Sequence, residues 1–113
     1  MIPLEVAVSA AAKSQHHKHR HACLIFYKEE LLVSQVNKGG HHAEVRAIEV
    51  LKITYPNYWW DSKAFTLISI AITKDGKLKL AKPCRRCEIK IRKSNLFGNI
   101  LYSTPKQTFE RLV

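Results

Sequence analysis

Apolar positions recur along the chain with two periods, and the two periods mark out its elements. Leu4, Val8, Ala11 and Ala12 share one side at helical spacing, which predicts a first helix from Leu4 to Ser14 with Pro3 suited to its first turn. Ala22 to Tyr27 is a short apolar run of the kind found in buried strands. Lys28-Glu29-Glu30 then turns the chain into a partner strand from Leu31 to Val36. A second helix is predicted from Ala43 to about Lys52, carrying Val45, Ile48 and Leu51 and ending before Tyr55-Pro56. Phe65 to Ile72 is the strongest strand signal. It is followed by the tight turn Lys74-Asp75-Gly76-Lys77 and by Leu78 to Ala81, which leads into Pro83. A third helix runs from about Cys84 to Lys93, with Ile89 towards the core. Gly98 breaks the chain, and strands are expected at Asn99 to Tyr102 and Thr108 to Leu112.

Helices that alternate with a few strands argue for an α/β fold, one sheet covered by helices. Only a short turn separates the last two strands, too little for a parallel crossover, so that pair is expected to be antiparallel. A chain of 113 residues is read as a single domain, 1–113, able to bury a modest core. No apolar run reaches the roughly 18 residues of a membrane span, and the first residues do not read as a secretory signal. Three cysteines, two of them at metal spacing, are not a disulfide framework. Together these features point to a reducing, cytoplasmic setting without membrane association.

Charge widens the picture. With 19 Lys+Arg against 9 Asp+Glu the net charge is +10, a field that attracts nucleotides, RNA or DNA but that also serves plain solubility. The connector Gln15-His16-His17-Lys18-His19-Arg20-His21 reads as a solvated basic loop, or as a contact for phosphate or a polynucleotide. Trp59 and Trp60 either stack on a base or cover an edge of the core.

The candidate chemistry lies in two stretches, His42-Ala43-Glu44 and Pro83-Cys84-Arg85-Arg86-Cys87. A catalytic zinc site uses three protein nitrogen or sulfur ligands and keeps a fourth position for water. His42, Cys84 and Cys87 supply three such ligands, and a helix N-terminus favours thiolates there. Pro83 fits a first turn, where no backbone N–H is needed. A closed structural site would need a fourth donor. His41 is the nearest, with His21 or Cys23 as remote options, but the side chain of His41 diverges from that of His42 by roughly 100° on a helix. Glu44 is placed to act on a metal-activated water as a general acid–base without being a ligand.

The pairing H-x-E then P-C-x-x-C resembles the signature of zinc-dependent nucleobase deaminases. The chain is similar to the cytidine and deoxycytidylate deaminase superfamily over most of its length. The matching stretches are His42 to Ile48, Lys82 to Cys87, Ala12-Lys13-Ser14, Arg20 to Ile25, Val33 to Asn37 and Ile100 to Thr104. The resemblance implies a three-layer α/β/α sandwich around a five-stranded mixed sheet. It also implies Zn2+ on His42, Cys84 and Cys87, and Glu44 as proton shuttle. Asn37 would contact the substrate's sugar, the backbone of Ala43 would contact its base, and the protein would form a homo-oligomer. The segment from Asn37 to His42 is shorter than the family's, and the antiparallel ending resembles the cytidine deaminase branch.

Three readings follow. The first is hydrolytic deamination of cytidine, deoxycytidine, CMP or dCMP, with Arg85, Arg86 or Lys38 available to a 5′-phosphate. The second is a deaminase acting on single-stranded DNA, RNA or tRNA, which the charge and the aromatic connector favour. The third is a non-catalytic zinc-containing binding module, which Glu44 argues against.

Overall fold

The computed structural model describes residues 3–16, 18–56 and 63–113. Trp59 and Trp60 lie outside the described residues. The elements run α1 (Leu4–Ala12), β1 (Arg20–Tyr27), β2 (Glu30–Val36), α2 (Ala43–Thr54), β3 (Phe65–Ile72), β4 (Leu78–Lys79), α3 (Arg85–Ser94), β5 (Phe97–Ser103) and β6 (Phe109–Arg111). The fold is mixed α/β. The strands form one six-stranded sheet in the order β2-β1-β3-β5-β6, with β4 paired to the end of β3. The expected count was five. The extra strand is the two-residue β4, held by pairing of Ala71 with Lys79 and of Ile72 with Leu78. The Gln107 side chain supports it further, accepting from Leu78 N and donating to Leu78 O.

β1 pairs antiparallel with both β2 and β3, and β3 pairs parallel with β5. β2, β3 and β5 therefore all run the same way. The chain leaves β2 and β3 at one edge of the sheet before entering α2 and α3, so both helix N-termini face that edge. The last pair, β5 with β6, is antiparallel as expected.

Strand alternation divides the core into two clusters. Ala22, Leu24, Ile68, Ile70 and Ile72 pack with Ala7, Ala10 and Ala11 of α1. Cys23, Ile25, Phe65 and Leu67 pack with Ala43, Ala47, Ile48 and Leu51 of α2 and Ile91 of α3. The buried face of α1 is thus the alanine stripe, while Leu4 and Ala12 are exposed. Alanine lets a helix approach a sheet closely, and here that outweighs the placement of the larger side chains. On α3 the inward residue is Ile91, one turn beyond Cys87. Ile89 lies about 200° around from Cys87 and is 44% exposed.

Gly98 does not break the chain but lies inside β5. The register slips there, with Phe65 opposite Phe97 and Thr66 opposite Asn99. A Cβ on Gly98 would lie 2.4 Å from the Lys63 carbonyl oxygen, so only glycine fits the bulge. Among the described residues no helix is long and apolar enough to cross a membrane.

Candidate metal centre

α2 and α3 each place one donor at the N-cap. His42 caps α2 and Cys84 caps α3, both with extended backbone, and Cys87 sits in the first turn of α3. Pro83 therefore stands before the cap and not in the first turn. The ligating atoms of His42, Cys84 and Cys87 lie within 4.8 Å of one another, and Cys87 Sγ is 3.2 Å from His42 Nδ1. Donors held at about 2.0–2.3 Å from one tetrahedral zinc stand about 3.3–3.8 Å apart, so small side-chain movements suffice to fit the ion. One imidazole and two thiols form a nitrogen–sulfur set that suits zinc, with a fourth position left over. His41 is not a member of this group. It pairs instead with Lys38 through two backbone hydrogen bonds of 3.0 and 3.1 Å, which close the Gly39-Gly40 turn.

Burial sets the electrostatics. Burial, then Glu44 and Cys84, push the Cys87 thiol up to about 12, so a thiolate there needs a cation beside it. Glu44 is 4% exposed. Burial raises its carboxyl, while its own backbone N–H and His42 pull the other way. Cys23 lies beneath, completely buried. Burial, with Glu44 and Cys87 nearby, raises its thiol far out of the range where it would ionise. Cys23 is a core residue, as expected.

A cavity of about 360 Å³ opens at His42, Ala43 and Glu44 and is lined further by Asn37, Gly39, His16, His19 and His21; neither Cys84 nor Cys87 borders it. Ala43 is fully buried at the first helical position, where the backbone N–H has no acceptor within the helix. Asn37 reaches the cavity but its side chain is used structurally. Its Oδ1 accepts from Ser14 Oγ at 2.6 Å and His21 N at 3.1 Å, and its Nδ2 donates to His19 O at 2.7 Å. This clamp holds the histidine connector against the site. Ser14 as the connector's anchor has no signal in the sequence, because a lone serine at a helix end reads as a surface residue.

The connector is also shorter than its composition suggests. Arg20 and His21 belong to β1, paired with Ile72 and Ala71. Burial, then Lys79 and the neighbouring histidines, hold the His21 imidazole down at about 4. Arg46 ties the site helix to the sheet, its Nη1 donating to the Val36 carbonyl.

Comparison with known protein families, curated proteins and solved structures gives no match. The geometry and chemistry of these residues therefore carry the functional argument alone.

Proposed function

We propose that the protein is a zinc-dependent hydrolase that deaminates a cytosine nucleoside or nucleotide, giving the uracil form and ammonia. The observation that carries this reading is the convergence of His42, Cys84 and Cys87 beside the buried carboxyl of Glu44. A three-layer, cytidine-deaminase-like arrangement fits the two apolar clusters on opposite sheet faces and the antiparallel β5–β6 ending.

Zinc, when bound, supplies an activated water at neutral pH. The residues of the chain do the rest. Glu44 takes the proton as the new C–O bond forms at the amine-bearing carbon. It passes that proton to the ring nitrogen, then takes the proton left on the newly attached hydroxyl and passes it to the departing amine, so that the carbonyl forms, the C–N bond breaks and ammonia leaves. Its burial suits a carboxyl that must carry a proton part of the time. In this reading the Ala43 N–H, at the positive end of α2, holds the base carbonyl.

The test is ammonia release by zinc-loaded protein on cytidine, deoxycytidine, CMP, dCMP, single-stranded DNA and tRNA. Turnover of any cytosine substrate that disappears in Glu44→Ala supports the reading. Turnover unchanged in Glu44→Ala would overturn the mechanism.

A polynucleotide substrate is the second reading. What favours it is the charge: among the described residues the one ion pair is Arg92 with Glu88, on a chain of net charge +10. Activity confined to the polynucleotides would select it.

A further inference from the structure

Next to the candidate metal centre lies a second and larger cavity, about 620 Å³ against 360 Å³. The two share His16, Asn37 and Gly39, so they adjoin one another. A Cβ built on Gly39 or Gly40 meets nothing within 4 Å, so this turn faces open space. The larger cavity is lined by Lys13 from the end of α1, Lys38 from the loop after β2 and Arg46 from α2, with no acidic residue. Among the described residues Lys13 and Lys38 make no ion pair. The Arg46 guanidinium is pinned by one bond to the Val36 carbonyl, which fixes its place while leaving its other N–H donors available.

The other large basic cavity contrasts with this. It is bordered by Lys63, Arg92 and Arg111, and there Arg92 is engaged by Glu88 and the Val113 carbonyl while Arg111 donates to the Gly98 carbonyl. Arg92 there already meets a carboxylate, whereas no carboxylate borders the Lys13 cavity. The cations around the Lys13 cavity converge from three elements without an anion to meet them. Three cations brought together in this way favour an anionic occupant, and a guanidinium held in place favours one with several acceptor oxygens.

We infer that the Lys13–Lys38–Arg46 cavity is a phosphate subsite, so that the substrate handled at the neighbouring centre carries phosphate. This rests on reading that centre as a cytosine-deaminating site. The phosphate is either the 5′-monoester of a nucleotide or a diester of a polynucleotide backbone, and one set of measurements separates the two.

Calorimetric binding to zinc-loaded protein would use uridine, UMP and a short uracil-containing oligonucleotide, ligands that are not turned over. Either UMP or the oligonucleotide should bind about tenfold or more tightly than uridine. UMP identifies the monoester, and a gain confined to the oligonucleotide identifies the diester. In the double variant Lys13→Ala/Lys38→Ala, both of whose positions are exposed, the advantage over uridine should fall by about tenfold. Inorganic phosphate should compete with the phosphorylated ligand and not with uridine. No advantage for either phosphorylated ligand, or an advantage that survives the double variant, would overturn the subsite. Deamination of cytidine in that event would leave the catalytic reading standing. Phosphate-dependent binding without any deamination would do the reverse.

Discussion

Cys87 Sγ and His42 Nδ1 lie 3.2 Å apart although 45 positions separate them in the chain. Nothing local brings them together. They meet because β2 and β3 run in the same direction, so that the helices that follow them start at the same edge of the sheet. The candidate metal centre is thus a product of sheet direction, and it can be tested residue by residue.

Removing any one donor should abolish stoichiometric metal binding. Wild-type protein is expected to hold about one zinc per chain, and His42→Ala, Cys84→Ser and Cys87→Ser far less, by elemental analysis after dialysis. Cobalt loading should give thiolate charge-transfer absorption that weakens in either cysteine variant. Full zinc retention in Cys84→Ser and in Cys87→Ser would sink the assignment.

Glu44→Gln should keep zinc and lose turnover by about 10²–10⁴-fold, the usual worth of a positioned acid–base group. Paired metal and ammonia assays separate this from a ligand defect. Loss of zinc along with activity would recast Glu44 as part of the metal-holding set.

Asn37→Ala should destabilise the fold by about 1–3 kcal/mol, since it strands the Ser14 hydroxyl, the His21 N–H and the His19 carbonyl together. A urea titration would show a lower midpoint with an unchanged slope. An unshifted midpoint would mean that the clamp contributes nothing to stability.

Gly98→Ala should cost about 1–3 kcal/mol, because the new methyl meets the Lys63 carbonyl and the β5 bulge must open to admit it. Thermal unfolding beside the wild type would register the change. An equal Tm would show that the Lys63 segment yields freely.

His21 gives a pH signature. Its folded pKa, about 4, lies below the ordinary 6.5. Between these values the unfolded chain takes up a proton that the folded chain does not, so stability falls as pH drops from about 6.5 towards 4 and levels off below. At higher pH this contribution is fully present. His21→Gln should flatten that slope relative to wild type when unfolding is followed across the window. An identical slope in both proteins would remove His21 as its source.

The donors and the main elements were legible in the sequence because each rests on short-range rules. Ligand spacing, the Phe65 to Ile72 run and the Lys28-Glu29 turn are local. What was hidden depended on partners far along the chain. Nothing in the sequence around Asn37 announces that Ser14, His19 and His21 hold its side chain. Gly98 looks like a breaker until Lys63 passes against it. Arg20 and His21 look like loop by composition and become strand only because β3 lies beside them. Ile89 and Ile91 are equally apolar, and Ile91 turns inward because the core cluster built from β1, β3 and α2 lies on its side of the helix. Leu78-Lys79 is too short to announce itself and needs Gln107 from the end of the chain to complete its pairing.

The shared direction of β2, β3 and β5 has a practical corollary. The candidate metal donors collect where β2 and β3 finish, and among the described residues none of those donors lies at their starting ends. The exposed Lys28-Glu29 turn joins β1 to β2 at that starting end, and Asn95 enters β5 there with a positive φ of 55°. Exposed turn tips of this kind accept insertions well. A fluorophore or an affinity handle spliced between Lys28 and Glu29 would ride at the opposite end of the strands, leaving the candidate metal centre clear for immobilised or imaging formats.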